Sequence, residues 1–223
     1  TGQPKGVELL HRNWTYEAQA LNELDFVHPD DVLYLWLPLS HVFGRALLGA
    51  QLSLGFRAIV DGRVDRIVDG LANTHPTILV GVPRIFEKVR SAVLTMNAQK
   101  GLKGRISRWA FLVGRDSRAY RLAGRPLPRT LALQYRLADR LVFSKLKDRL
   151  GGRMRFMISG SAKLSHQVQE WFYSAGIIVV EGYGATETAA ISFLSLPDRP
   201  RFGPVGPLSP GLETKLADDG EQR

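Results

Sequence analysis

The sequence predicts an α/β fold: a mostly parallel sheet with helices on both faces, a helical insertion, and the start of a separate β-rich subdomain. Three observations lead there. Short apolar runs bounded by glycine and proline alternate with amphipathic helical patterns, as repeated βαβ units require. Residues 100–150 break that alternation with long, basic, helical segments. From Pro197 onward glycine and proline become frequent, in "PDRPRFGPVGPLSPG".

The strands come in order. "VLYLWLPL" (32–39) reads as a buried strand ending near Pro38, and "RAIV" (57–60), "TILVGV" (77–82), "RFMISG" (155–160) and "GIIVVEG" (176–182) read the same way. Between them, "HVFGRALLGAQLSL" ends at Gly55, and "DRIVDGLANTH" stops before Pro76. "PRIFEKVRSAVLTMN" starts with Pro83, where a first helical turn accepts a residue without an N–H. "SHQVQEWFYSAG" has Ser165 at the N-cap position and Gly176 at the stop. In the insertion, Leu131, Leu133, Tyr135, Leu137, Leu141, Val142 and Leu146 are expected near one broad helical face. The domain division is therefore 1–196 for the α/β core, including the insertion, and 197–223 for a linker and the beginning of a β subdomain.

Composition narrows the chemistry. The 223 residues suffice for a packed core, and 44% apolar with 23% charged residues is an ordinary globular balance. There is no cysteine, which excludes disulfides, thiolate catalysis and cysteine-based zinc sites. No run of 18 apolar residues exists, and the first ten residues do not resemble a signal peptide. A cytoplasmic location is the expectation. The net charge of +9 is local: Lys100 to Arg155 holds sixteen Lys/Arg against three Asp/Glu. Such a stretch is either a solvated helical face or a contact for phosphates of nucleic acid, lipid or nucleotide. Nucleic acid is not expected, because aromatic residues spaced for base stacking are few there. A peripheral contact with an anionic membrane is the alternative that basic amphipathic helices allow.

Four stretches carry candidate chemistry. "TGQPKG" (1–6) is a glycine-rich loop whose N–H groups and Lys5 could face an anion, although it lacks Walker spacing and reads equally as a surface turn. "LPLSHVFG" (37–44) puts His41 just after a buried strand, for a ligand or for a structural role. "ISGSAKLS" (158–165) follows another strand with small residues that admit a flat ligand or make a tight connection. "EGYGATETAA" (181–190) follows "GIIVV" with two glycines, an aromatic, a hydroxyl and a carboxylate. Three of the four follow strand C-termini, where open α/β sheets gather ligands.

In that order, and with "GPVGPLSPG" behind them, these stretches resemble the motifs of the adenylate-forming (AMP-binding) enzymes. "VGVPRIFEKV" (80–89) and the helical insertion resemble long-chain fatty-acid–CoA ligases, and the Arg- and Ala-rich composition is similar to actinobacterial members. The resemblance implies ATP-dependent activation of a long-chain fatty acid to an acyl-adenylate, then thioester formation with coenzyme A. Transfer to an acyl carrier protein is the alternative, and a basic nucleic-acid-binding module a distant one. It implies ATP, Mg²⁺ and coenzyme A as cofactor and substrates, a fatty acid as partner, and leaves room for a homodimer.

Residue by residue, the resemblance implies that Thr1, Gly2, Lys5 and Gly6 belong to a phosphate-binding loop. Gly160, Ser161 and Ala162 line the adenine pocket, and Glu181 belongs to the nucleotide site. Tyr183 stacks on adenine while Gly182 and Gly184 keep the wall thin beside the acyl group. Thr186 meets the phosphates, Glu187 holds Mg²⁺, and His41 lies near the acyl carboxylate. Val82, Pro83 and Arg84 stand where long-chain members place a gate for the fatty-acid chain. Lys5, His41, Thr186 and Glu187 form the expected catalytic set. The chain also reads as a piece of a longer protein, with a ribose-binding aspartate and a catalytic lysine expected after Arg223 and no ligase activity expected of the piece alone.

Overall fold

The computed structural model describes Gln3, residues 5–98 and residues 101–215. Six strands form one sheet in the order β2-β1-β3-β4-β5-β6. These are β1 (Val32–Leu35), β2 (Arg57–Val60), β3 (Ile78–Gly81), β4 (Phe156–Ser159), β5 (Val179–Tyr183) and β6 (Phe193–Leu194). The first five are mutually parallel, and β6 runs antiparallel to β5. All five parallel strands were legible as apolar runs; β6, only two residues long, was not.

Two helical layers cover the sheet. On one face, α1 (His11–Glu23) and α2 (Val42–Leu54) lie over Leu33, Ile78, Val80 and Ile158, with Leu21, Leu47 and Ala50 completing the same apolar layer. On the other are α3 (Ile67–Thr74), α4 (Pro83–Ala98) and α8 (His166–Ser174). Tyr34 packs against Gly70 of α3, and Phe86 of α4 sits beside Gly81. A Cβ at Gly70 would fall 2.2 Å from the Tyr34 hydroxyl oxygen, so only glycine lets α3 settle there. The insertion forms α5 (Leu102–Leu122), α6 (Arg129–Ala138), a π turn (Asp139–Phe143) and α7 (Ser144–Arg149). Phe111 of α5 stacks on Trp171 of α8 at 4.7 Å, which fastens the insertion to the inner layer.

The helix stops follow local chemistry. Gly55 and Gly176 take the left-handed conformation, at φ 77° and 76°, where their helices were expected to stop. The first strand is shorter than its apolar run: Trp36 and Leu37 stay buried, but the ladder ends at Leu35. Pro38 then accepts from the His41 N–H at 3.0 Å and turns the chain. Helix α1 has no counterpart in the sequence reading. Its start lacks a polar capping residue, and its buried stripe is Glu17, Ala18, Ala20 and Leu21 rather than large apolar side chains.

The insertion's apolar residues do not share one face. Leu131, Tyr135 and Val142 turn inward against the core, while Leu133, Leu137 and Leu141 are exposed. Residues two apart in a helix differ by about 200° in direction, so the two sets cannot point the same way. Residues 197–215 contact the core at points that include two hydrogen bonds. Ser209 N–H donates to the Ser192 carbonyl at 2.8 Å, and the Tyr16 hydroxyl donates to the Pro210 carbonyl at 2.8 Å.

At the opposite edge from the strand C-termini, Asp31 ties three strands together. It is buried, accepts from the Thr77 hydroxyl at 2.5 Å and from the His28 N–H at 2.9 Å, and pairs with Arg155. Burial pushes its carboxyl up, but the bonds from Arg155, Thr77 and His28 outweigh that and hold it below its usual range.

Candidate active site

A cleft of about 150 Å³ opens at the C-terminal ends of β4 and β5. Three of the sequence-selected stretches reach it: His41 from the loop before α2, Gly160 and Ser161 after β4, and Gly182 to Thr186 after β5. Its floor is apolar, made by Phe43, Ile158, Ile191 and Leu194 among others.

His41 is the N-cap of α2. The Phe43 N–H donates to its Nδ1 at 3.2 Å. An accepting Nδ1 leaves the proton of the neutral ring on Nε2. The structural and functional readings of this histidine are thus compatible: one nitrogen caps the helix, the other is a free N–H donor on a side chain at the cleft.

The β4 loop hugs α2. Gly160 continues the ladder through its N–H to the Gly81 carbonyl at 3.0 Å, and a Cβ there would lie 2.7 Å from the Phe43 ring. Ser161 then takes φ 67°, an unusual cost for a residue with a side chain.

The β5 loop closes on itself. A Cβ at Gly184 would fall 1.3 Å from the Ala190 carbonyl oxygen, so the two limbs of the loop touch backbone to backbone. The Ala185 N–H donates to Thr188 Oγ1 at 3.1 Å, Ser192 Oγ donates to the same oxygen at 2.9 Å, and the Ser192 N–H donates to the Tyr183 carbonyl at 2.8 Å. Ala189 and Ala190 sit at φ 67° and 140°. This closed turn presents Thr186 and Glu187 to solvent on a 3₁₀ turn. Tyr183 is 56% exposed, with its ring tilted against Phe193 at 6.1 Å. A flat, half-exposed ring on a rigid strand end is a stacking surface.

Among the described residues no group of three His, Cys, Asp or Glu could hold a metal ion by itself. The donor set is one exposed carboxylate, Glu187, beside the Thr186 hydroxyl. That suits a magnesium ion, which keeps waters and substrate phosphates as most of its ligands.

Other expected residues lie elsewhere. Glu181 is buried, and its Oε1 accepts from the Leu164 N–H at 2.9 Å, so it braces the end of the β4 loop instead of lining the cleft. Burial pushes its carboxyl up. Lys5, Gly6 and Ala162 are exposed but outside the lining; at the junction of β3 and α4, half-buried Val82, buried Pro83 and exposed Arg84 are outside it too. Thr1 and Gly2 lie outside the described residues.

Glu17 was missed altogether. It is 1% exposed, and its Oε1 accepts from the Ile191 N–H at 3.1 Å, supporting the far limb of the β5 loop from α1. Burial raises its carboxyl from 4.5 to about 7, partly opposed by that hydrogen bond. No sequence signal joins two residues 174 positions apart. Because the folded group takes up its proton more readily than the unfolded one, folding stability is greatest below about pH 4.5 on this account and falls as pH rises to about 7. Glu17→Gln keeps the acceptor without the charge. It should remove that slope and stabilise the protein at pH 8 by up to ~3 kcal/mol, measured by urea unfolding across pH.

A family model described as AMP-binding enzyme matches residues 1–223. The chain is 34% identical over 228 residues to the long-chain-fatty-acid–CoA ligase FadD15 of Mycobacterium bovis, covering 99% of this chain and 37% of that protein. It is also 34% identical over 222 residues to fatty acyl-CoA synthetase A of Dictyostelium discoideum, covering 98% of this chain and 32% of that protein. Among solved structures, the ATP-bound MatB of Rhodopseudomonas palustris superposes with a TM-score of 0.62 at 25% identity, over 95% of this chain and 32% of that one. The chain thus spans about a third of the length of its relatives.

Proposed function

We propose, from the premise that this chain belongs to the AMP-binding enzyme family, that it carries the ATP and acyl-adenylate site of a long-chain fatty-acid–CoA ligase. The observation that carries the reading is the convergence of His41, Gly160–Ser161 and Gly182–Thr186 on one cleft at the strand C-termini. The relatives named as fatty-acid–CoA ligases supply the substrate class.

In the first half-reaction, a carboxylate oxygen of the fatty acid bonds to the α-phosphorus of ATP. The bond from that phosphorus to the bridging oxygen breaks, and pyrophosphate leaves with the electron pair. In the second, the thiol of coenzyme A bonds to the acyl carbon, its proton is lost, and AMP departs. Neither step needs a covalent enzyme nucleophile, so positioning and electrostatics dominate. Tyr183 offers its ring to the adenine. Gly182 and Gly184 keep the backbone close to the mixed anhydride. His41 donates from Nε2 to the carboxylate, restraining it beside the phosphate. Thr186 donates to a phosphate oxygen, and Lys5 with Thr1, Gly2 and Gly6 is assigned to the outer phosphates by the family resemblance alone. Bound Mg²⁺, held by Glu187 with Thr186, would reduce the repulsion between carboxylate and phosphate. Val82, Pro83 and Arg84 are assigned to the entry of the acyl chain, and residues 197–223 to a linker into the next subdomain.

Glu187→Ala in the intact enzyme tests this. Acyl-adenylate formation, followed by pyrophosphate release, should fall on the order of 10²-fold while ATP affinity changes little. Equal losses in both would contradict the assigned role. Offering coenzyme A and acyl carrier protein side by side identifies the acceptor, and a thioester on the carrier alone would move the reading to a fatty-acyl-AMP ligase.

A further inference from the structure

The outward face of α6 and the π turn that continues it is explained by neither the core nor the cleft. Leu133, Leu137 and Leu141 are 69%, 48% and 39% exposed and recur every fourth residue, one above the other. Arg129, Arg136 and Arg140, all exposed, stand three or four positions from these leucines and share their side of the helix. Some other cations in and around the insertion are partnered: Arg118 with Glu170 at 2.7 Å, Lys147 with Asp139 at 2.6 Å, and Arg155 with Asp31. Among the described residues, none of these three arginines has an ion-pair partner. From Ser117 to Ala138 the chain contains no acidic residue at all.

The combination selects a partner. Unpaired guanidinium groups call for an anionic surface, and a row of exposed leucines calls for an apolar one. A nucleic acid satisfies only the first, and the face has no exposed aromatic ring to stack on bases, since Tyr135 turns inward. An anionic bilayer satisfies both, with leucines entering the acyl boundary and arginines at the headgroups. Among the described residues no helix is long and apolar enough to cross a membrane, so the contact would lie in the interface plane.

We propose that the Leu133–Leu137–Leu141 and Arg129–Arg136–Arg140 face of α6 and the π turn after it docks the protein on anionic lipid surfaces. The test is co-sedimentation of the intact protein, without ATP or fatty acid, with vesicles of equimolar phosphatidylglycerol and phosphatidylcholine. Binding is expected to these vesicles and not to phosphatidylcholine alone, and to weaken as salt is added. Replacing the three arginines with Gln should weaken it about a hundredfold, whereas replacing them with Lys should largely preserve it. Leu133→Ser, Leu137→Ser and Leu141→Ser together should weaken it at least about tenfold. All six side chains are exposed, so unchanged circular dichroism and melting should accompany each variant. Absence of wild-type binding, or binding indifferent to either set, overturns the proposal. So does arginine-dependent, leucine-independent capture of duplex DNA in place of vesicles. Because no ATP enters the assay, its failure leaves the ligase reading untouched, and the reverse.

Discussion

Gly184→Ala should lower ATP-dependent fatty-acid activation by more than about 10²-fold, the cost of an angstrom-scale displacement of reacting groups. The added Cβ would lie 1.3 Å from the Ala190 carbonyl oxygen, where no side-chain rotation can relieve it because both partners are backbone. The loop must open, and Thr186 and Glu187 move with it. Neighbouring glycines set the scale. At Gly160 the clash is 2.7 Å with the Phe43 ring, which can turn at some cost to the cleft floor. At Gly182 it is 3.2 Å with Leu194 Cδ1, the end of a flexible side chain. The expected order of loss is therefore Gly184→Ala, then Gly160→Ala, then Gly182→Ala, read as initial rates of pyrophosphate release. A Gly182→Ala loss equal to that of Gly184→Ala would show that the closed turn is not what positions the groups.

Asp31→Ala should destabilise the fold by about 3–5 kcal/mol, as expected when one partner of a buried ion pair is removed. The substitution leaves the Thr77 hydroxyl and the His28 N–H without their acceptor and Arg155 without its anion. Arg155 is 40% exposed and can return to water, which places the expected value at the lower end. The pH dependence has a definite sign. The folded carboxyl lies below its usual range, so its contribution is present above about pH 4 and is lost as pH falls through the folded value. This is the reverse of Glu17, whose effect lies between about pH 4.5 and pH 7, so the two can be separated in one set of unfolding curves. Asp31 lies at the sheet edge away from the cleft. Its loss should therefore lower urea midpoints without a selective effect on ATP affinity at temperatures where the variant is folded.

The parts legible in the sequence were those written in local patterns. Gly55, Pro83 and Gly176 marked helix boundaries because their backbone chemistry allows little else. Val32–Leu35 and Val179–Tyr183 were visible because buried parallel strands are apolar without interruption. The cleft residues Gly160, Ser161, Tyr183 and Thr186 were found because each lies at or just after the end of such a strand. What escaped depended on distance. Helix α1 hides its contact stripe in alanines and one glutamate, and Glu17 acquires meaning only when the fold brings Ile191 above it. Glu181 lies between two glycine-rich motifs and reads as a site residue, yet strand register aims its side chain beneath the sheet face and towards Leu164. Phe43 sat inside a selected motif, but its place in the floor follows from α2 crossing Gly160.

The central claim, that the cleft beside Tyr183 receives the adenine of ATP, is tested most directly by titrating ATP into the wild-type protein, Tyr183→Phe and Tyr183→Ala. A stacked base is worth roughly 1–3 kcal/mol, so Tyr183→Ala should bind ATP at least about fivefold more weakly. Tyr183→Phe, which keeps the ring, should bind as the wild type does. Wild-type affinity in Tyr183→Ala, with its fold intact, would place the nucleotide elsewhere and contradict the account.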